Sequence, residues 1–207
     1  MGRLQQPTKA SVCIVESLNF FDEDTYKEGE IISRTLRLSG KRPHYSYVRT
    51  RDELEALLAE FGQSDYRYLH ISCHGNINEF YVTTEMIAAE EFAHMLAPHV
   101  KGRRVFLSTC LATNSVFAKE LLLKSGCFSV LGPAGKINFD DAAIFWTAFY
   151  HCRFKQNPKS MKRKDVEDTA ALCANLVGEQ FRFFYVDDGK VRTKLLGKAP
   201  PNERRDD

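Results

Sequence analysis

The chain has 207 residues, 43% of them apolar and 27% charged, with a formal net charge of +2 at pH 7. That is enough apolar material to bury one good core, and so balanced a charge excludes global steering toward nucleic acid or an acidic membrane surface. Residues 1–9 are polar and lack an apolar signal core, no apolar run approaches the ~20 residues that cross a bilayer, and the six cysteines lack disulfide-framework spacing; a cytoplasmic, reducing location is expected.

Strand and helix patterns then alternate along the chain. Residues 11–15 read as a strand, and 24–38 as a helix carrying Ile31, Ile32, Leu36 and Leu38 and stopping at Gly40. A short strand over 45–48 precedes Thr50-Arg51-Asp52-Glu53, which has the form of a capping box before a helix that Gly62 should close. A buried strand over 67–75 follows, then a small hairpin over 80–87, a helix over 90–96 and a second buried strand over 103–110. Thr113 or Asn114 should cap a helix that ends near Gly126, and 127–131 is a further buried strand. Apolar positions are dense over 139–154, a helix is predicted over 161–177, and 181–186 with 191–195 around Asp188-Gly189 reads as a hairpin. We expect one domain over 10–197, with residues 1–9 flexible and 198–207 a disordered tail.

Two of these strands end in residues capable of covalent chemistry. One runs into Ile71-Ser72-Cys73-His74-Gly75, the other into Leu107-Ser108-Thr109-Cys110. In an open parallel sheet the crevice lies beyond the carboxyl ends of the strands, so His74 and Cys110 should emerge on one rim. An isolated histidine at a strand end is usually a surface residue, and an isolated cysteine usually a buried thiol. Here Gly75 permits close approach of a backbone N–H, and Cys110 precedes a helix start, where N–H groups favour a thiolate and an oxyanion. Cys73, next to His74, should point to the opposite face and pack in the core.

These residues resemble the caspase-like (clan CD) cysteine peptidases, and within them the bacterial CHAT-domain family. The similarity rests on the strands into Cys73-His74-Gly75 and Ser108-Thr109-Cys110, on Gly126-Cys127-Phe128-Ser129-Val130-Leu131-Gly132, and on Asp140-Asp141-Ala142-Ala143 with Phe149-Tyr150. It implies an α/β fold, a three-layer α/β/α sandwich with a mostly parallel central sheet and a C-terminal hairpin. It also implies a cysteine endopeptidase with Cys110 as nucleophile, His74 as general acid–base, and the Gly75 and Cys110 N–H groups as oxyanion hole, needing no metal or cofactor. The partners implied are a protein substrate and a separate activator or sensor, in a regulated signalling or defence role.

Caspases that cut after aspartate carry arginine after the nucleophile, where this chain has Leu111, so aspartate selectivity is not expected. Glu16, at the end of the first strand, could face the substrate pocket and favour a basic side chain. Ser108, Asp140 and Asp141 are further candidate substrate contacts, with helix capping the simpler role for the two aspartates. A zinc site from His70, Cys73, His74 and Cys110 is disfavoured by strand alternation, and Gly132-Pro133-Ala134-Gly135-Lys136 departs from a phosphate loop at Val130 and Ile137. The basic run from Lys155 to Lys164 reads as a solvated, cleavable linker rather than a nucleic-acid contact. The rival to an enzyme is a catalytically inactive interaction module that keeps the fold.

Overall fold

The computed structural model describes residues 8–198. The elements follow in the order β1 (Lys9–Ser17), α1 (Glu28–Leu38), β2 (His44–Tyr47), α2 (Arg51–Gln63), β3 (Tyr66–Gly75), β4 (Glu79–Val82), β5 (Glu85–Ala88), α3 (Ala89–Leu96), β6 (Arg104–Ser108), α4 (Ser115–Ser125), β7 (Ser129–Pro133), α5 (Phe139–Gln156), α6 (Arg163–Val177), β8 (Phe181–Asp187) and β9 (Lys190–Leu196). The main sheet runs β2-β1-β3-β6-β7-β8-β9. Its first five strands are parallel, and β8 and β9 close it antiparallel.

Both sheet faces are covered, as parallel strands require. Alternation along β6 sends Val105 and Leu107 to one face, with Phe61 of α2, Phe92 of α3 and Phe117 of α4. Phe106 goes to the other, with Ile32 of α1, Trp146 and Phe149 of α5 and Val166 of α6. This is the expected caspase-like three-layer α/β/α sandwich with a mostly parallel sheet and a C-terminal hairpin.

Several boundaries differ from those expected, each for a local reason. Helix α1 begins at Glu28 rather than at 24, because the Asn19 side chain accepts from the N–H groups of Phe21 and Asp22 and winds residues 19–26 into turns. Gly62 lies inside α2, which ends at Gln63 with Ser64 as its cap; a Cβ there would come within 2.6 Å of His99 Nδ1, so the glycine serves packing and not termination. Lys9 already belongs to β1, its N–H bonded to Asp65 O at 2.6 Å, while residues 1–7 and 199–207 of the expected flexible ends lie outside the described residues.

The basic run does not form a loose linker. Helix α5 extends through its first part, and the connection 157–162 is tied down by Lys41 Nζ to Pro158 O (2.7 Å), Arg67 to Lys159 O (3.0 Å) and Arg104 Nε to Met161 O (3.1 Å). Arg67 and Arg104 stand at the amino ends of β3 and β6, opposite the rim that carries His74 and Cys110.

Candidate active site

The register pairs Ser72 of β3 with Ser108 of β6. His74 and Cys110 each lie two residues further on, so parallel pairing brings them out level on adjacent chains at the carboxyl rim. Both line a cavity of about 730 Å³ and a neighbouring one of about 640 Å³. The first is bounded by the loop after β1 and the start of α5, the second by the β4–β5 hairpin.

His74 is anchored on its Nε2 side. That nitrogen lies 2.8 Å from Asp22 Oδ2 and 3.3 Å from Asn19 Nδ2, and Asn19 Nδ2 in turn donates to Asp22 Oδ2 at 2.6 Å. The ring edge meets Phe139 (centroids 5.5 Å apart), which stacks on Tyr26 at 4.6 Å. With the Nε2 proton directed to Asp22, Nδ1 is the nitrogen available to a thiol.

Cys110 is half-buried, and its Sγ lies 3.5 Å from Ile137 N and 3.6 Å from Ile137 O. Among the described residues no hydrogen bond joins it to His74, a spacing that resting active sites often close only with substrate bound. The next residue, Leu111, has φ 57°, a left-handed conformation costly for leucine. It is held there by Leu111 N–H to Gly135 O (3.1 Å) and Ala112 N–H to Cys110 O (2.7 Å); strained backbone of this kind gathers at functional sites. Asn114 then caps α4, accepting from the N–H groups of Val116 and Phe117.

Gly75 has a steric reason to be glycine. A Cβ would approach Thr109 Cγ2 to 2.5 Å and Glu79 O to 2.9 Å. Asn76 N–H donates to Glu79 O, and antiparallel pairs alternate, so the N–H of Gly75 points away from β4. The hairpin lies on the β1 side, where Thr83 bonds to Ser17 and Leu18, which leaves the Gly75 N–H on the side of Cys110.

The other expected residues divide. Ser108 is buried and lines the larger cavity, and Asp140 lines its exposed rim. Asp141 is not part of the lining; its N–H bonds to Asp140 Oδ1. The cap position of α5 is Asn138, so neither aspartate is the cap; both sit in the first turn, where negative charge suits the helix dipole. Glu16 does not face the pocket. Its carboxyl is fully buried, accepts from Gly29 N–H and Tyr45 OH at 2.8 Å each, and is pushed up to about 7 by that burial. The acids that line the cavity from the β1–α1 side are Asp22 and Glu28. Sequence reasoning passed over Asp22 and Glu28, which lie in and after an irregular loop with no periodic pattern; the Asn19 to Asp22 spacing of an Asx turn was the available signal.

The four residues weighed as zinc ligands go separate ways: His70 bonds to Tyr150, Cys73 to Thr109, His74 to Asp22, and Cys110 rests against Ile137. Glu90, His94 and Glu120 do bring three ligand atoms within 4.8 Å, but the Lys124 ammonium occupies that group, 3.0 Å from His94 Nε2 and paired with Glu120. The Gly132–Lys136 segment is used structurally, Gly135 O receiving Leu111 and Ala134 N–H donating to Gln180 O. Cys73 is buried with its thiol pushed up to about 12, and burial does the same to Cys13, Cys127 and Cys173.

No family model and no curated protein matches this sequence. Among solved structures, the fold is similar to a chain of the separase–securin complex from Saccharomyces cerevisiae, with a TM-score of 0.52 at 13% identity over 94% of this chain. This chain spans 12% of the length of that one. A Geobacter sulfurreducens protein matches at a TM-score of 0.46 and 9% identity, over 93% of this chain and 95% of its own. The class that fold and topology define is the caspase-like α/β/α sandwich. Among the described residues no helix is long and apolar enough to cross a membrane.

Proposed function

We propose that the chain is a cysteine endopeptidase acting on a protein substrate. His74 Nδ1 takes the Cys110 thiol proton and the resulting thiolate attacks the scissile carbonyl, forming a tetrahedral intermediate whose oxyanion is held by the Gly75 and Cys110 N–H groups. His74 then protonates the leaving amine, and a water deprotonated by the same base attacks the thioester, releasing the acid product and returning the Cys110 thiol. The observation that carries this reading is the level emergence of His74 and Cys110 into shared cavities, with Nε2 fixed by Asp22. The resemblance to the CHAT family extends the proposal to a cytoplasmic role in signalling or defence, under control of a separate activator or sensor protein.

The engagement of Cys110 Sγ with Ile137 favours a second reading, a caspase-like interaction module without activity. Incubation of the purified chain with an unfolded protein such as reduced casein separates the two. The endopeptidase reading predicts fragments that Cys110→Ala and His74→Ala each abolish; casein cut equally by Cys110→Ala, or intact with the wild type while Cys110 shows no enhanced reactivity toward iodoacetamide, supports the module.

A further inference from the structure

Away from the candidate active site, helices α3 and α4 bring together side chains of metal-ligand type. Glu90 and His94 stand four residues apart on α3 and so share a face, which Glu120 meets from α4. One ligand atom from each lies within 4.8 Å of the others. The helices beneath are fixed by Phe92 of α3 stacked on Phe117 of α4, with Phe80 of β4 against both rings, so the grouping is set before any ligand arrives. Two observations mark it as a place for a cation and not a chance meeting of acids. The Lys124 ammonium already stands in it, 3.0 Å from His94 Nε2 and paired with Glu120. An ammonium can only donate, so Nε2 turns its lone pair toward the group, the form of imidazole that binds metal. Nε2 also lies 3.5 Å from Glu120 Oε2; two ligands of one tetrahedral zinc, each about 2.0–2.1 Å from it, stand about 3.3–3.4 Å apart. The same ammonium holds the Glu120 carboxyl below the usual carboxylate range, in its ligand form. Lys124 is itself half exposed and free to swing into water, and His94 lines a solvent-open cavity of about 450 Å³ that gives an ion its way in.

We infer that Glu90, His94 and Glu120 bind a zinc ion, which displaces the Lys124 ammonium and takes a water as its fourth ligand. One imidazole with two carboxylates is a borderline donor set, which favours zinc over magnesium and calcium, ions that prefer oxygen alone. The ion touches neither His74 nor Cys110, so the inference stands whether or not the chain is a peptidase. Its effect reaches both residues through the chain. Helix α3 follows the β4–β5 hairpin, which pairs with His74 and Gly75, and α4 starts at the Asn114 cap, four residues after Cys110. The ion staples together the two segments that flank the candidate site.

The test titrates zinc against a chromophoric chelator in Cys110→Ala, so that this thiol does not compete, and in the same chain carrying His94→Ala, Glu120→Gln or Lys124→Ala. All three positions are partly exposed on helices that accept the new residues, so the variants keep the fold. One equivalent of zinc should bind, and His94→Ala and Glu120→Gln should each weaken it at least about 10-fold, the least that loss of even an outer-shell partner costs. Lys124→Ala should tighten it about 10-fold, because a competing positive charge beside a divalent ion is gone. That gain is the signature of an ammonium holding the metal's place, and a cluster held together only by ion pairs would not show it. In thermal unfolding, zinc should raise the Tm of the parent and of Lys124→Ala more than that of His94→Ala. No saturable zinc in the parent chain, zinc bound equally by His94→Ala and Glu120→Gln, or an affinity unmoved by Lys124→Ala would each overturn the inference.

Discussion

Asp22 sets the orientation of His74, and its removal should cost rate more than stability. Asp22→Asn keeps the turn that Asn19 builds, since Asn19 Oδ1 bonds to the backbone N–H of residue 22 rather than to its side chain. It takes away the charge that steadies the imidazolium and puts an NH2 donor beside Nε2, which favours the other imidazole tautomer. The expected loss in kcat/KM is about 10- to 100-fold, smaller than the ~10⁴-fold typical of a buried triad aspartate, because this pair is partly solvated. An unchanged kcat/KM would show that the contact positions nothing. Glu16 acts on folding instead. Its carboxyl sits at about 7 in the folded chain against an ordinary 4.5, so the folded chain holds a proton that the unfolded chain has lost. The stabilisation is therefore complete below about pH 4.5 and disappears as pH rises to about 7. Glu16→Gln offers an acceptor to Gly29 and stays uncharged, so it should gain about 3 kcal/mol on the wild type between pH 5 and pH 8 in urea unfolding; a constant difference would contradict the assignment. At this level His74, Gly75 and Cys110 were legible because each marks the end of an apolar run. Asp22 and Glu28 were not, because what places them is a loop whose path depends on side-chain bonds to its own backbone.

The elements that bring the site together carry their signals locally. Thr50 and Glu53 make both bonds of the expected capping box. The Asp188-Gly189 turn has φ 49° and 67° at its two residues, the positive pair that a tight hairpin between β8 and β9 needs. Asn114 was one of two expected caps, and it is the one used. It satisfies two N–H groups at the start of α4 and reaches across to Ile77 O, which ties the helix behind the nucleophile to the strand end behind the histidine. Asn114→Ala should therefore lower stability by about 1–2 kcal/mol, measured by thermal or urea unfolding; a loss well under 0.5 kcal/mol would mean that solvent replaces the cap at no cost. The misjudged positions, the start of α1 and the role of Gly62, were set by single side chains. Both depend on side chains that hydrophobic periodicity does not register, the Asn19 amide that winds the preceding turns and the ring of His99 packed on Gly62.

The order of strands and the two-faced core were legible throughout because parallel strands buried on both sides read as apolar runs whatever their partners. Position across the whole sheet was not. The connection 157–162, read from its charge as a cleavable linker, is pinned at the amino ends of β3 and β6, and β3 spans ~23 Å between Arg67 and His74 at ~3.3 Å per residue. Cleavage there would have to occur between molecules, so its initial rate should rise with the square of protein concentration; a first-order rate would require the site to reach its own far edge. The dyad itself is most directly tested by alkylating the native chain with iodoacetamide across pH and mapping the adducts. Four of the six thiols are pushed up to about 12 by burial and will not compete, which leaves Cys110 against the half-buried Cys152. The account predicts preferential labelling of Cys110 below pH 8, lost or moved to higher pH in His74→Ala while Cys152 is unaffected. Slow labelling of Cys110 at the rate of Cys152, indifferent to His74, would contradict it.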